Sequence, residues 1–443
     1  MTYKKHSRRE FVKKSTAGAA GLSLTFSARS YSNILGANDR MNFGAVGVRG
    51  RGKALIKSVA AQTNTAMAAI CDVDRREFDI TGKLVKDNFD KKAKTYTDIR
   101  KMLENKDIDA ILIATPEHWH APMALMSVQA GKHVYVEKPC SHNPREGEIL
   151  VEAQRKYGKV IQMGNQQRSA NISKQAIKDI KEGLIGDVYY GKAWYSATRG
   201  TIGKGKATAV PDWLDWELWQ GPAPREEYRD NYVHYNWHWF WNWGTGEINN
   251  NGTHEIDICR WALGVDFPKS VVSSGGRYHF DDDWQFYDTQ VVNYEFEGGK
   301  MITWEGRSCN GLYHYDRGRG VTLHGKKGSI LLDRNNYIVY DEKRNVIKEV
   351  DEAGQSATTD TVGEGFLDVL HMRNFINAAR EGEKQNSPIK EGHITNLLCH
   401  LGNYSQKLGR KLMLDTSNGH VLNDKEAMEY WSREYEPGWE MKL

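Results

Sequence analysis

The sequence predicts two domains of different class, a doubly wound α/β domain followed by an α+β domain built on an antiparallel sheet. Three observations carry that prediction. A β-prone run enters a glycine-rich turn and then a helical pattern near residue 50; strand, helix and strand alternate from there to residue 139; and from residue 269 short β-prone runs follow one another with turns between them. At 443 residues, 27% charged and 39% hydrophobic, the chain is long enough for two buried cores.

Charge is nearly balanced: 61 Lys and Arg stand against 57 Asp and Glu, a net +4. Residues 1–36 hold seven of those bases and one acid, so 54 stand against 56 in the remainder. A nucleic-acid surface needs a clustered basic excess, and none survives that subtraction. Nucleic acid is therefore excluded as the expected partner. The five cysteines, Cys71, Cys140, Cys259, Cys309 and Cys399, are odd in number, far apart and never spaced Cys-x-x-Cys. That pattern argues against a disulfide framework or a zinc ribbon.

The first 36 residues read as an address rather than as fold. Ser7-Arg8-Arg9-Glu10-Phe11-Val12-Lys13-Lys14 precedes an uncharged, Ala/Gly/Ser-rich run over 15–28. This resembles a twin-arginine export signal, the bland alternative being a frayed basic N-terminus. The run is too short for a bilayer span, which takes roughly 20 residues as a helix. No cysteine near its end offers a lipid attachment point. The expectation is a periplasmic protein without stable membrane association, exported already folded and with any cofactor inside.

Met41-Asn42-Phe43-Gly44-Ala45-Val46 is a short strand entering Gly47-Val48-Arg49-Gly50-Arg51-Gly52, after which Ala54, Leu55, Ser58 and Val59 follow at helical spacing. In the context of strand, glycine turn and helix, this motif binds a dinucleotide pyrophosphate. The next strand, 66–71, delivers Asp72 twenty residues after Gly52, where a carboxylate accepts the hydroxyls of a ribose. Asp72 repels a 2′-phosphate and favours NAD, while Arg75 and Arg76 leave NADP open. Arg49 stands where the motif carries its second glycine. Gly50 is placed to take over the tight turn, and the Arg49 guanidinium either lies across the phosphates or points to solvent. A buried parallel strand over 108–114 ends in Thr115-Pro116-Glu117-His118-Trp119-His120, and a helix over 121–130 follows. Another strand over 132–136 closes on Glu137-Lys138-Pro139. Ligands of such a sheet sit at the carboxyl ends of its strands, where Thr115 and Lys138 fall.

Five motifs in order, the glycine turn, Ala114-Thr115-Pro116, Glu137-Lys138-Pro139, Gly164-Asn165-Gln166-Gln167-Arg168-Ser169 and Gly252-Thr253-His254-Glu255-Ile256-Asp257, resemble the Gfo/Idh/MocA family of glucose-fructose oxidoreductase and inositol dehydrogenase. The resemblance runs from residue 41 to about 410. It implies a Rossmann domain followed by an open, mainly antiparallel sheet domain, with nicotinamide and sugar meeting between them. The expected boundaries are 1–36 for the signal, 37–160 for the Rossmann domain and 161–443 for the substrate domain with its C-terminal helices. On this resemblance the cofactor-facing residues are Gly47, Arg49, Gly50, Arg51, Gly52, Asp72, Thr115, Pro116, His120, Glu137, Lys138 and Gln166. Lys138 and His254 face the reacting carbon. The family usually places an aspartate four residues before the histidine, and this sequence has Asn250.

Oxidising a secondary alcohol requires a base for the hydroxyl proton, a cation for the developing alkoxide and a nicotinamide carbon near the departing hydride. His254 can be the base, because its unperturbed pKa of about 6.5 lies near working pH. Lys138 can be the cation. Asp257, one helical turn beyond His254, either orients the imidazole, caps the helix or bonds to backbone. Asn250 is expected to hydrogen-bond the substrate or His254, but being neutral it cannot stabilise an imidazolium.

Eight of the sixteen residues from 228 to 243 are aromatic, and seven of the fourteen tryptophans fall between 213 and 243. Flat apolar faces with polar edges suit sugar rings, so Tyr235, Trp237 and His238 are candidate substrate contacts alongside Asn250 and Asp257. The alternation of Trp237, Trp239, Trp241 and Trp243 also fits one buried face of a strand. His118, His120, His234, His238 and His254 lack the carboxylate cluster of a metalloprotease site, and no metal is expected.

Short strands over 270–274, 290–296, 301–307, 320–324 and 329–332 follow, then an acidic, Gly- and Thr-rich surface loop over 351–363. Helices over 366–380 and 393–408 close the chain, with His371 and His400 as structural residues. By the family resemblance, the sheet also supplies the face of a homodimer or homotetramer. The function this adds up to is a periplasmic NAD-dependent dehydrogenase with tightly bound cofactor, oxidising a hydroxyl, at C3, of a sugar or glycoside. One alternative is a redox-assisted glycosidase, since glycoside hydrolase family 109 is similar through the same fold. It would need an extra base near C2, such as His234, His238 or a tyrosine of 228–235. A second alternative is a carbohydrate-binding protein on a degenerate fold.

Overall fold

Strands buried on both faces need helices on both sides, and the first half of the chain alternates accordingly. The computed structural model describes residues 40–351 and 366–443. The stretch read as an export signal, and most of that read as an acidic surface loop, lie outside the described residues. Met41–Leu443 folds as one unit. β1 (Met41–Val46), α1 (Gly50–Ala60), β2 (Thr65–Cys71), α2 (Glu77–Phe89), β3 (Lys94–Tyr96), α3 (Ile99–Leu103), β4 (Ala110–Ile113), α4 (His120–Gln129), β5 (His133–Val136), α5 (Pro144–Tyr157) and β6 (Ile161–Met163) follow in order. The six strands pair in parallel as β3-β2-β1-β4-β5-β6. That order puts the topological switch point between β1 and β4, where such sheets bind their ligands.

α6 (Asn171–Lys181), the central strand β7 (Val188–Ser196), α7 (Trp216–Gln220) and α8 (Thr253–Leu263) lead into β8 (Ser270–Gly276), β9 (Thr289–Phe296), β10 (Lys300–Arg307), β11 (Arg319–Gly325), β12 (Gly328–Leu332), β13 (Asn336–Asp341) and β14 (Val346–Asp351). With β15 (Leu412–Met413) they form a nine-stranded sheet, β14-β13-β12-β11-β7-β10-β9-β8-β15. Only the β7–β10 pair is parallel, so the sheet is the mainly antiparallel one expected. The hairpins form because β-prone runs are joined by glycine turns such as Glu297–Gly299, where Gly298 takes φ 72°.

The final helices are α9 (Phe366–Glu381), α10 (Ile389–Leu408) and α11 (Lys425–Glu429). Met372, Phe375 and Ile376 of α9 are buried with Phe43, Leu55 and Tyr135 of the parallel-sheet domain, so the chain crosses back to close that core. Leu397, Leu398 and Leu401 of α10 pack instead into the core beneath the large sheet.

One expectation fails here. The alternating tryptophans of 237–243 do not form a strand; Asn236–Trp239 is a single 3-10 turn inside an irregular segment. Their rings pack on different partners in two clusters, Trp243 edge to face with Tyr232 at 4.4 Å and Trp219 at 5.1 Å, and Trp239 stacked on Trp284 at 3.8 Å. Aromatic pairing, which turns neighbouring rings toward different partners, wins over the flat period of a strand. Among the described residues no helix is long and apolar enough to cross a membrane.

Candidate active site

The glycine turn brings backbone to the crevice at the end of β1. Gly47 has φ +74°, and a Cβ there would lie 2.6 Å from the Ala114 carbonyl oxygen, so the β1 and β4 ends approach only because the side chain is absent. A Cβ on Gly52 would lie 2.0 Å from the Gly47 oxygen. Gly52 therefore lets α1 pack on its strand and is not itself part of the cavity wall. Arg49 stands on the cavity wall with its side chain 55% exposed and Nε 3.9 Å from Glu77. Arg51 turns inward, donating from Nε to Glu137 at 2.8 Å and from both terminal nitrogens to Asp368 of α9 at 2.7 Å. Its guanidinium braces the crossing helix from the cavity wall, with its charge already paired to two carboxylates.

Asp72 closes β2. Its carboxylate accepts from the backbone N–H of Val48 at 2.8 Å and of Asp74 at 2.9 Å. Burial, with Asp74 and Glu77 adding repulsion, outweighs those bonds and raises its pKa to about 6. At the end of β4 the Thr115 hydroxyl is buried without a protein partner. His120 opens α4 as expected, but its ring spans the Pro139 and Thr115 carbonyl oxygens at 2.6 and 2.8 Å, tying two strand-end loops together. A glycine cradle, a buried carboxylate and an unpartnered hydroxyl fit the pyrophosphate, ribose and amide of a nicotinamide dinucleotide.

The crevice continues into a cavity of about 640 Å³, whose wall includes Gly47, Gly50, Asp72, Pro116, Glu137, Lys138 and Gln166 on one side. On the other stand Tyr195, Arg199, Tyr235, Trp237, His238, Asn250, His254 and Arg319. Lys138 and His254, more than a hundred residues apart in sequence, share this wall. Lys138 Nζ donates to the backbone oxygen of Asn250 at 2.6 Å and to its side-chain oxygen at 3.0 Å. Asn250 thus holds the lysine, not the histidine. It can do so because the chain widens into a π-helical turn, Ile248–Gly252, just before α8 and leaves carbonyl groups unspent. Burial lowers the lysine's pKa, with Glu137 and Glu117 opposing. Burial likewise raises that of Glu117, whose carboxylate accepts from the Thr245 hydroxyl.

His254 lies on the first turn of α8 with Nδ1 3.0 Å from Asn165 Oδ1. If Nδ1 carries the proton, Nε2 is left with its lone pair. Burial, then the charges of Arg334, Arg319, Lys138 and Arg51, depress its pKa well below the usual value, so the ring is neutral at working pH. Asp257 does not orient it. That carboxylate accepts from Arg168 at 2.6 and 2.9 Å and from the Thr395 hydroxyl at 2.7 Å, and it is absent from the cavity wall. Three residues along α8 turn Asp257 toward α10, away from the cavity, and a buried arginine claims it.

The aromatic wall is partly as expected. Trp237 and His238 stack at 3.6 Å, and His238 Nδ1 is 2.6 Å from the Tyr235 carbonyl oxygen. The Tyr235 hydroxyl accepts from Arg199 at 3.0 Å. His234 is displaced to the far end of the cavity, where Nε2 lies 3.0 Å from Asp74, so it is no candidate base beside a sugar. His118 faces the Trp219 carbonyl oxygen at 2.9 Å, outside the cavity. Among the described residues no three His, Cys, Asp or Glu side chains converge as metal ligands.

Sequence reasoning missed Asn165, Tyr195, Arg199 and Arg319. Asn165 stood inside a quoted motif and could have been assigned. The others are single residues whose role depends on long-range pairing: Arg199 is held by Glu247 at 2.6 Å, Arg319 by Glu255 at 2.8 Å.

Residues 41–165 match the family description "Oxidoreductase family, NAD-binding Rossmann fold", and residues 216–414 match "Oxidoreductase family, C-terminal alpha/beta domain". The chain belongs to the Gfo/Idh/MocA oxidoreductase family. A curated relative, the alpha-N-acetylgalactosaminidase of Tannerella forsythia, is 24% identical over 85% of this Gfo/Idh/MocA chain and 88% of its own length. A glycosyl hydrolase family 109 protein of Parabacteroides distasonis is 24% identical with the same coverage. Among solved structures, a levoglucosan dehydrogenase in complex with NADH and levoglucosan superposes with TM-score 0.65 at 19% identity, over 84% of this chain and 99% of that one. These likenesses establish the fold that the two sheets display.

Proposed function

We propose that this protein oxidises a ring hydroxyl, at C3, of a sugar or glycoside, using NAD that stays bound and is returned to its oxidised form by a second, carbonyl-bearing substrate that takes up the hydride. The observation that carries the reading is the convergence of the Lys138 ammonium and the neutral His254 imidazole on one cavity continuous with the dinucleotide crevice. Bound in that crevice, NAD supplies the hydride acceptor. His254 takes the hydroxyl proton on Nε2, with Asn165 fixing the ring. Lys138, steered by the two Asn250 oxygens, stabilises the alkoxide by charge. Trp237, His238 and Tyr235 offer the sugar an apolar face and polar edges.

NAD is favoured over NADP. Asp72 disfavours a 2′-phosphate, and Arg76, the arginine that could have held one, is already bonded twice to Asp74 at 2.9 and 2.7 Å. The N-terminal Arg8-Arg9 motif supports a periplasmic site of action.

A second reading is supported by the relatives named as glycosidases, which span most of both chains. In it the same oxidation at C3 acidifies the C2 proton, elimination expels the leaving group, water adds across the resulting double bond at C1 and C2, and the hydride returns to C3 of the sugar. One experiment separates the two. The purified protein is incubated with a panel of glycosides while reduced-nicotinamide absorbance and product mass are followed together. A keto product, with the bound nicotinamide left reduced when no acceptor is supplied, supports the dehydrogenase; cleaved sugar with no net nicotinamide change supports the glycosidase; neither product from any glycoside overturns both.

A further inference from the structure

We propose that residues 197–243 act as a latch that retains the dinucleotide by closing over the adenosine end of the crevice. The latch is fastened to the turn after β2 by Asp74, Arg76, Trp213 and His234. The inference rests on the reading that the crevice binds a dinucleotide, and it assigns to this segment a task that neither sheet formation nor proton transfer requires.

The attachment has a backbone part and a side-chain part. The N–H of Arg75 donates to the Trp213 carbonyl at 3.0 Å, and the N–H of Asp215 donates to the Val73 carbonyl at 3.0 Å, so the two segments run antiparallel for one bridge at Asp74 and Leu214. Above this bridge the Arg76 guanidinium sits 3.4 Å from the centroid of the Trp213 ring. Trp213 stacks on His234 at 5.3 Å and 25°, and His234 Nε2 lies 3.0 Å from Asp74. Four side chains from three places in the chain thus close a ring around one carboxylate.

Position gives the ring its consequence. The N–H of Asp74 donates to Asp72 at 2.9 Å, so the fastening and the ribose-facing carboxylate belong to one turn. The same segment sends Leu218, Trp219 and His234 to the cavity wall, opposite Asp72, Asp98 and Met123 of the parallel-sheet domain. A molecule seated on Asp72 has the sheet beneath it and the latch above. The Arg76 side chain is 51% exposed and Trp213 is half-buried, so the outer part of the fastening lies at the surface, above a buried Asp74.

The test is the exchange rate of bound NAD. The purified full-length chain is loaded with isotope-labelled NAD, chased with excess unlabelled NAD, and compared with Trp213→Ala and with Arg76→Met, the fold of each variant being checked by circular dichroism. Loss of the stacked cation and ring is expected to speed release about tenfold or more in both variants. Unchanged release in a folded Arg76→Met protein that still binds NAD overturns the latch while leaving the functional reading standing. A wild-type chain that binds no NAD at any concentration overturns that reading, and the latch falls with it.

Discussion

The two halves of the cavity wall are built by different means. The crevice side comes from residues 47–166, a compact stretch of sequence, and works largely through backbone: a glycine that lets strand ends meet, and strand-end N–H groups that hold Asp72. The opposite side is assembled from β7, the irregular segment after it, α8 and β11, and works through side chains. Two of its cations are backed by buried carboxylates, Arg199 by Glu247 and Arg319 by Glu255. A backbone site tolerates little change in its glycines and is shared by many proteins. A side-chain wall held by paired charges can be rebuilt residue by residue, which is where a family with one cofactor fold acquires different substrates.

Lys138 stands where the two halves meet, and its loss is the largest effect expected. Lys138→Met removes the charge while keeping most of the bulk. Turnover should fall by about 10²- to 10⁴-fold, with NAD content of the purified protein unchanged. Steady-state rates alongside the nicotinamide absorbance of the isolated protein check both parts. If turnover survives, the division between a cofactor side and a chemical side is drawn in the wrong place.

Asp257 sharpens the comparison from the supporting layer. It is a buried partner of Arg168, with 1% of its side chain exposed, and removing one member of such a pair costs about 3 kcal/mol. Asp257→Asn is expected to shift the urea midpoint accordingly and to leave the turnover of the folded protein within about threefold. A loss of turnover with unchanged stability would return Asp257 to the catalytic role that its sequence position suggested.

Asn165 is the converse case, a small residue just behind the cavity wall that holds the His254 ring. Asn165→Ala frees the His254 ring and should lower kcat about tenfold with little change in KM. Asn165→Asp keeps the acceptor and adds a charge that favours the imidazolium, so the acid limb of the pH–rate profile moves to higher pH. An alanine variant with wild-type kcat, or an aspartate variant with an unmoved profile, detaches Asn165 from the imidazole.

The same division decides what could be read from sequence. The parallel sheet, the glycine turn, Asp72, Lys138 and His254 are legible because each depends on local pattern or on a short motif. β7 is not. Gly191 and Lys192 interrupt its β-prone pattern, yet a Cβ at Gly191 would lie 3.0 Å from Cys259 of α8, so the glycine is there to admit the helix. The tryptophan alternation misleads because ring-on-ring packing, not strand period, spaces those residues. Asp257 misleads because helical spacing places it near His254 in sequence, while Arg168, 89 positions earlier, decides which way it faces. Arg199 and Arg319 carry no signal at all, since their meaning lies in distant glutamates.

The smallest effect concerns Asp72 and turns on sign. Its pKa is raised to about 6, so the free crevice is partly protonated in mild acid. Ribose hydroxyls donating to the carboxylate favour its charged form, so binding NAD lowers that pKa and releases a proton. Affinity should then rise with pH and level off above about 6, the difference between about pH 5.5 and 7.5 being about fourfold. Calorimetric titration across this range checks it, and Asp72→Asn should bind more weakly with a flat profile. Stability of the free protein should run the other way. The folded chain holds this proton more tightly than the unfolded chain, whose carboxyl titrates near 3.9, so the contribution of Asp72 to stability declines as pH rises from about 4 to 6. Opposite slopes for binding and for folding, both removed by Asp72→Asn, would tie the two effects to one carboxylate; parallel slopes would assign them to another group on the crevice side.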